Sequence, residues 1–232
     1  MPRIARTVEF FRVWSAEMAY VLGYWWADGY MTIKPSTTAH IVEISSNDRD
    51  HLDTIIQTVG ISGSVRQIPP RCYGVQFCSK ELYNDLLELG GMPSKSNVIG
   101  FPSVPVQFLS HFVRGFVDGD GTLIWNGSRP VIQIYSGSKH LLEQMAIAIE
   151  EQTGIPAPHI VANRTLWYIK WSTIRAKCLA AWLYVENPGI ALDRKAAIAA
   201  KFLDWQPKKR PERGTITEGM RERFAAYLPP QE

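Results

Sequence analysis

The sequence writes one nonapeptide twice. Residues 21–29 read VLGYWWADG and residues 113–121 read VRGFVDGDG. Alignment pairs Val21 with Val113, Gly23 with Gly115, Tyr24 with Phe116, Ala27 with Gly119, Asp28 with Asp120 and Gly29 with Gly121. No other feature constrains the fold as much, because a long internal repeat means two copies of one structural unit. Each copy reads as an apolar helix that stops at Asp-Gly. Gly23 and Ala27 are four residues apart and share a helix face, as do Gly115 and Gly119. A glycine inside a helix costs about 1 kcal/mol relative to alanine, so Gly23 and Gly115 need a packing reason. Small residues at this spacing let two helix backbones approach closely. The two helices are therefore expected to pack in parallel about a pseudo-twofold axis. Tyr24, Trp25, Phe116 and Val117 then point away from the seam, each into its own half's core.

The text around each copy repeats as well. After the first come strand-like segments YMTIKP and AHIVEIS, the helical DRDHLDTIIQTVG, short strands near GSVRQI and YGVQFCS, and the helix KELYNDLLELG. After the second come TLIWN, PVIQIYS, SKHLLEQMAIAIEEQTG, HIVAN, TLWYIKW and IRAKCLAAWLYV. Gly60 and Gly154 end corresponding helices. Each half thus reads αββαββα, and the fold class is α+β, a pseudo-twofold pair of such halves. The expected divisions are 1–105, 106–205, and a basic linker with a short helix over 206–232. In the last, QPKKRPERG is rich in Pro, Lys and Arg, and Thr217 is placed to cap a helix that exposes Arg221 and Arg223.

Composition narrows the class. No apolar run approaches the roughly 20 residues that span a bilayer. The opening MPRIARTVEFFRVW has charges within its apolar stretch and no cleavage pattern, so no signal peptide is expected. Cys72, Cys78 and Cys178 are odd in number and lack metal-ligand spacing, as reduced thiols of an intracellular protein would. A net charge of +3 permits a polyanionic partner without arguing for one.

Asp28 and Asp120 carry the chemistry. A carboxylate at a helix C-terminus sits in an unfavourable field, and two side by side repel. A divalent cation between them reverses both penalties. Carboxylates with free helix-end carbonyls make a hard oxygen site suited to Mg²⁺. One Asp-Gly alone is better read as a helix stop and turn. A calcium loop over DGDGT is excluded, because its twelfth position is Arg129 and not glutamate.

These residues resemble the LAGLIDADG homing endonucleases in their single-chain, two-motif form, over roughly residues 15–203. The resemblance implies two halves joined at the motif helices, each with a curved antiparallel four-stranded sheet that straddles the DNA major groove. It implies metal binding at Asp28 and Asp120, the eighth motif positions, with the carbonyls of Ala27 and Gly119 as further ligands. It places a basic catalytic residue late in each half, Lys95 in PSKS and Lys195 in LDRK, with Arg194 beside the second. Ser46 and Ser136 are the nearest matches to residues that order water. The implied activity is metal-assisted cleavage of both strands of a double-stranded DNA target by a monomer. Mg²⁺ serves as cofactor, and Ca²⁺ is expected to support binding without cleavage. The sixth motif position is an acid in the family and in copy two, Asp118; in copy one it is Trp26.

Strand alternation then assigns the outer faces. Met31 and Ile33 are expected inward, with Thr32, Lys34 and Ser36 toward DNA. Val42 and Ile44 point in, with Glu43 and Ser45 out. In half two, Ile132, Ile134, Trp167, Ile169 and Trp171 point in, with Gln133, Tyr135, Tyr168 and Lys170 out. Arg66, Gln76 and Asn126 complete the candidate readers. The two outer faces differ in sequence, so the target should be long and asymmetric. The competing reading is a non-cleaving relative, a maturase that binds RNA or a DNA-binding regulator. Loss of either acid would have favoured it, and both acids are present.

Overall fold

A computed structural model describes residues 9–61, 63–70, 72–208 and 214–229. Helix α1 (Ala16–Asp28) begins where the Ser15 side chain accepts from the Met18 N–H, and it stops at Gly29. Every residue from Met18 to Trp26 is buried. A helix apolar on all sides must be covered on all sides. Its twin α4 (Leu109–Asp120) supplies much of that cover. A β-carbon on Gly23 would collide with the Phe112 carbonyl, and one on Gly115 with the Tyr20 carbonyl. One on Gly119 would sit 3.1 Å from Asp28 Oδ2. Residue numbers rise together along both helices, so they run parallel with backbones in direct contact.

The halves follow the expected order. In half one, β1 (Gly29–Ile33), β2 (His40–Ser46), α2 (Arg49–Val59), β3 (Val65–Ile68), β4 (Cys72–Cys78) and α3 (Lys80–Glu88) follow α1. In half two, β5 (Gly121–Asn126), β6 (Arg129–Ser136), α5 (Lys139–Thr153), β7 (Val161–Asn163), β8 (Leu166–Ser172) and α6 (Thr173–Tyr184) follow α4. The sheets have orders β1-β2-β4-β3 and β5-β6-β8-β7, and all pairs are antiparallel. Gly60 and Gly154 both adopt the left-handed conformation that ends α2 and α5. One core runs from Met31, Val42 and Phe77 through both motif helices to Ile132, Ile134 and Trp171. Among the described residues no helix is long and apolar enough to cross a membrane.

Three expectations need correction. Ile33 is the last residue of β1 and is 43% exposed, because the sheet extends past its helical cover there. Lys34 and Ser36 lie in the turn after β1 and not in a strand; Lys34 N–H bonds to the Ala39 carbonyl across that turn. Trp167 is only half-buried, since β8 reaches the sheet rim, and Lys139 lies over its ring.

The chain continues into α7 (Asp193–Leu203) and α8 (Glu218–Phe224). Thr217 caps α8 as expected and also donates to the Gly154 carbonyl. Met220 and Phe224 are fully buried in the common core, so α8 is docked. Part of the basic stretch before it lies outside the described residues.

The seam gives a stability prediction. Gly115→Ala places a methyl against backbone that cannot rotate away, and should cost about 1–3 kcal/mol, the usual range for overpacking. Urea unfolding of the variant beside wild type measures it. Gly60→Ala, with open space around its β-carbon, should cost less, chiefly through its φ of 72°.

Candidate active site

The parallel motif helices end together, and their last residues are Asp28 and Asp120. Both are half-buried. Burial raises the Asp28 carboxyl to about 7, with the Asp120 charge adding to the rise. Burial likewise raises Asp120. Neither is a comfortable anion in the protein alone.

Two buried lysines answer this charge. Lys95 is 5% exposed and Lys195 3%. Lys95 Nζ donates to the carbonyls of Trp26 at 2.6 Å and Ala27 at 3.2 Å. Lys195 Nζ donates to those of Val117, Asp118 and Gly121 at 2.7, 2.7 and 2.8 Å. Most of these carbonyls belong to the last turns of α1 and α4, where a helix runs out of its own donors; Val117 O also accepts from the Gly121 N–H. The lysines therefore cap the negative ends of the two dipoles. Burial lowers both ammoniums to about 8, although the aspartates pull the other way. An ammonium has three donors. Lys195 directs all three to carbonyls, whereas Lys95 uses two among the described residues.

Each lysine bonds within its own half, and the charges of both lysines lower both acids. A cavity of about 260 Å³ is lined by Trp26, Lys95 and Asn97 from half one and by Asp120, Tyr135 and Ser136 from half two. The short 3₁₀ turn Lys95–Asn97 follows Ser94, which holds a left-handed φ of 55°. It presses on Gly137, where a β-carbon would strike Asn97. On the other side, Arg194 forks onto Asp48 with three contacts of 3.0–3.1 Å.

The site fits a hard divalent cation. It has two acids, and the Gly119 and Ala27 carbonyls lie in the adjoining last turns. Ala27 O already accepts from Lys95 but has a second lone pair. Among the described residues no three His, Cys, Asp or Glu side chains cluster as a metal cage. The remaining ligands would have to be water or substrate oxygens, as is usual for Mg²⁺.

The model of the LAGLIDADG-like domain matches residues 15–90 and 107–171. The chain belongs to that family. No curated protein sequence matches it. Solved structures share its fold at low identity. Homing endonuclease I-WcaI bound to its DNA recognition sequence is 9% identical with a TM-score of 0.55, covering 84% of this chain and 94% of that one. I-DmoI in complex with DNA and Ca is 16% identical with a TM-score of 0.56, covering 78% and 96%. The N-terminal LAGLIDADG domain of DUF199/WhiA is 16% identical with a TM-score of 0.52, covering 82% and 92%.

In this LAGLIDADG chain the expected readers fall into distinct settings. Glu43 and Gln76 pair across β2 and β4, and Glu43 accepts from Arg66 at 2.6 Å and Gln76 at 3.0 Å. These three form one network. Ser45 pairs with Gly74 in the next row, and Thr32 with Ile41. In half two, Gln133 pairs with Lys170 and Tyr135 with Tyr168, and Asn126 sits at the β5–β6 hairpin end. Arg194 is committed to Asp48. Ser46 accepts from Tyr24 OH at 2.8 Å and from Asp48 N–H at 3.0 Å, so it shapes the β2–α2 turn. Ser136 does the same for Ser138 N–H but also lines the cavity. Asn97 escaped the sequence reading because its counterpart in half two is Ala197 in α7.

The raised carboxyl gives a pH prediction. Folded Asp28 holds its proton up to about pH 7, whereas the unfolded chain loses it near 4, so this group's stabilising effect fades as pH rises between those values. In chelator, wild type should lose thermal stability from pH 5 to 7.5. Asp28→Asn should lose distinctly less, and Mg²⁺ should restore much of the wild-type loss at pH 7.5. Melting curves across that range are the check.

Proposed function

We propose that the chain is a site-specific DNA endonuclease that hydrolyses one phosphodiester on each strand of a long asymmetric duplex. The supporting observation is the meeting of Asp28 and Asp120 at two abutting helix ends, each end held by a buried lysine. Asp28, Asp120 and the Ala27 and Gly119 carbonyls would hold Mg²⁺. When bound, the cation would lower the pKa of a water and stabilise the leaving 3′ oxygen. The chain's own residues do the rest. Lys95 and Lys195 fix the carbonyl ends of the motif helices and balance the acids. Lys95 would offer its third donor to a phosphate oxygen or an ordered water in the cavity. The outer rows of the two sheets, among them Gln133 with Lys170 and Tyr135 with Tyr168, offer amide, phenol and ammonium groups to base edges and phosphates. Both motifs lie in one chain, so a monomer supplies both sites. Ca²⁺ would support binding without cutting. Solved structures of the same fold include I-DmoI in complex with DNA and Ca and with DNA and Mn, which supports this reading.

The test is cleavage of a randomised duplex library, then of the selected site, in Mg²⁺ and in Ca²⁺. Asp28→Asn and Asp120→Asn should each retain DNA binding in Ca²⁺. Each should lose double-strand cutting in Mg²⁺ by more than the roughly hundredfold that follows loss of a supporting partner. Undiminished cutting by either variant would sink the mechanism. Tight binding with no cutting by wild type would make the chain a binding protein.

A further inference from the structure

The sixth motif position differs chemically between the copies, Trp26 in one and Asp118 in the other. Both side chains are buried, at 2% and 1% exposure. Both leave their helix to grip the segment that carries their own half's lysine. Trp26 Nε1 donates to the Gly100 carbonyl at 2.9 Å. The neighbouring Ile99 N–H donates to the Lys95 carbonyl at 2.9 Å, so the grip reaches the lysine's own turn. Asp118 Oδ2 accepts from the Leu192 N–H at 2.7 Å, and the Leu192 carbonyl accepts from the Lys195 N–H at 2.8 Å. Asp118 also accepts from Tyr184 OH at 2.7 Å and from Tyr20 OH at 2.8 Å.

One turn earlier, Arg114 strengthens the second grip. Its guanidinium donates to the carbonyl of Leu183 in the last turn of α6 and to those of Asn187 and Ile190 in the connection between α6 and α7. Its counterpart in α1 is Leu22. Burying a guanidinium on carbonyls and a carboxylate on neutral donors is expensive in desolvation. The apolar solution at the same place in α1 shows that the fold does not require it. What the expense fixes is the long irregular stretch of residues 185–192, which ends at Lys195's helix.

We propose that the sixth motif residue is a positioning residue, Trp26 for Lys95 and Asp118 (with Arg114) for Lys195, each acting on its own lysine alone. Its effect on cleavage rests on the nuclease reading above; the positioning itself does not.

Two measurements on the full-length chain separate these. The first is trace acylation with acetic anhydride, read lysine by lysine by mass spectrometry, without DNA. Asp118→Leu should raise labelling of Lys195 on the order of tenfold, the lower end of what loss of a supporting partner produces. Lys95 should not change. Tyr184→Phe should do the same to a smaller extent, and Trp26→Phe should raise Lys95 alone. Asp118→Asn keeps an acceptor for the Leu192 N–H and should stay near wild type. Equal rises at both lysines in each variant, or no rise in any, would overturn the proposal. If Asp118→Leu does not fold, Tyr184→Phe and Trp26→Phe carry the comparison.

The second measurement is strand-resolved cleavage of a selected duplex in Mg²⁺. One strand should slow in Asp118→Leu and the other in Trp26→Phe, again on the order of tenfold, with Asp118→Asn near wild type. Wild type that cuts while each variant slows both strands equally overturns the positioning claim and leaves the nuclease reading intact. Wild type that never cuts removes the nuclease reading, and the labelling result then decides the positioning claim.

Discussion

The backbone contact between the two motif helices governs the molecule. Gly23 rests on the Phe112 carbonyl and Gly115 on that of Tyr20, related by the pseudo-twofold. Only hydrogen at these α-carbons allows helices this close. The closeness forces their C-terminal ends, and so Asp28 and Asp120, into one place. It also merges two small cores into one, because the bulky Tyr24, Trp25, Phe116 and Val117 are all driven away from the seam into buried positions. The sheets are then held on either side of a common line of carboxylates.

That gathering concentrates negative potential. Two dipole ends and two acids meet where burial already disfavours charge. Inside the protein the answer is a pair of lysines that cap the helices; under the proposed function, an added cation would complete it. The raised Asp28 and the lowered lysines are two sides of one fact, that charge here is costly.

Much of this was legible in sequence, for identifiable reasons. The repeated nonapeptide disclosed the seam because glycine inside a helix has few explanations. Gly60 and Gly154 marked equivalent helix ends because a left-handed cap is a local need. Met31, Val42, Ile44, Ile132, Ile134 and Ile169 were assigned inward by period-two alternation, which holds where strands lie under helices. It failed at Ile33 and Trp167, where the sheet outruns its cover. Hidden altogether were features fixed by tertiary pairing. Arg114 looks like a surface charge until its carbonyl partners are seen. Ser46 looks free until Tyr24 reaches it. Glu43, Arg66 and Gln76 look like separate readers until they are found bonded to one another. The contact of the Lys95 turn with Gly137, and the Arg194–Asp48 fork, have no signature in a linear text.

These contacts across the seam bear on how such a chain can be divided and inherited. The 3₁₀ turn of Lys95 leans on Gly137 of the other half, and the start of α7 leans on Asp48 of the first. A gene severed between the halves would encode two pieces, each with one acid and one lysine. Neither would own a finished cavity, because its lining comes from both halves. The outer sheet rows can drift separately, since each belongs to one half. The crossing residues cannot. Change at Asn97, Gly137, Asp48 or Arg194 would need an answer on the far side of the seam, so the two halves are tied together by residues in which they differ.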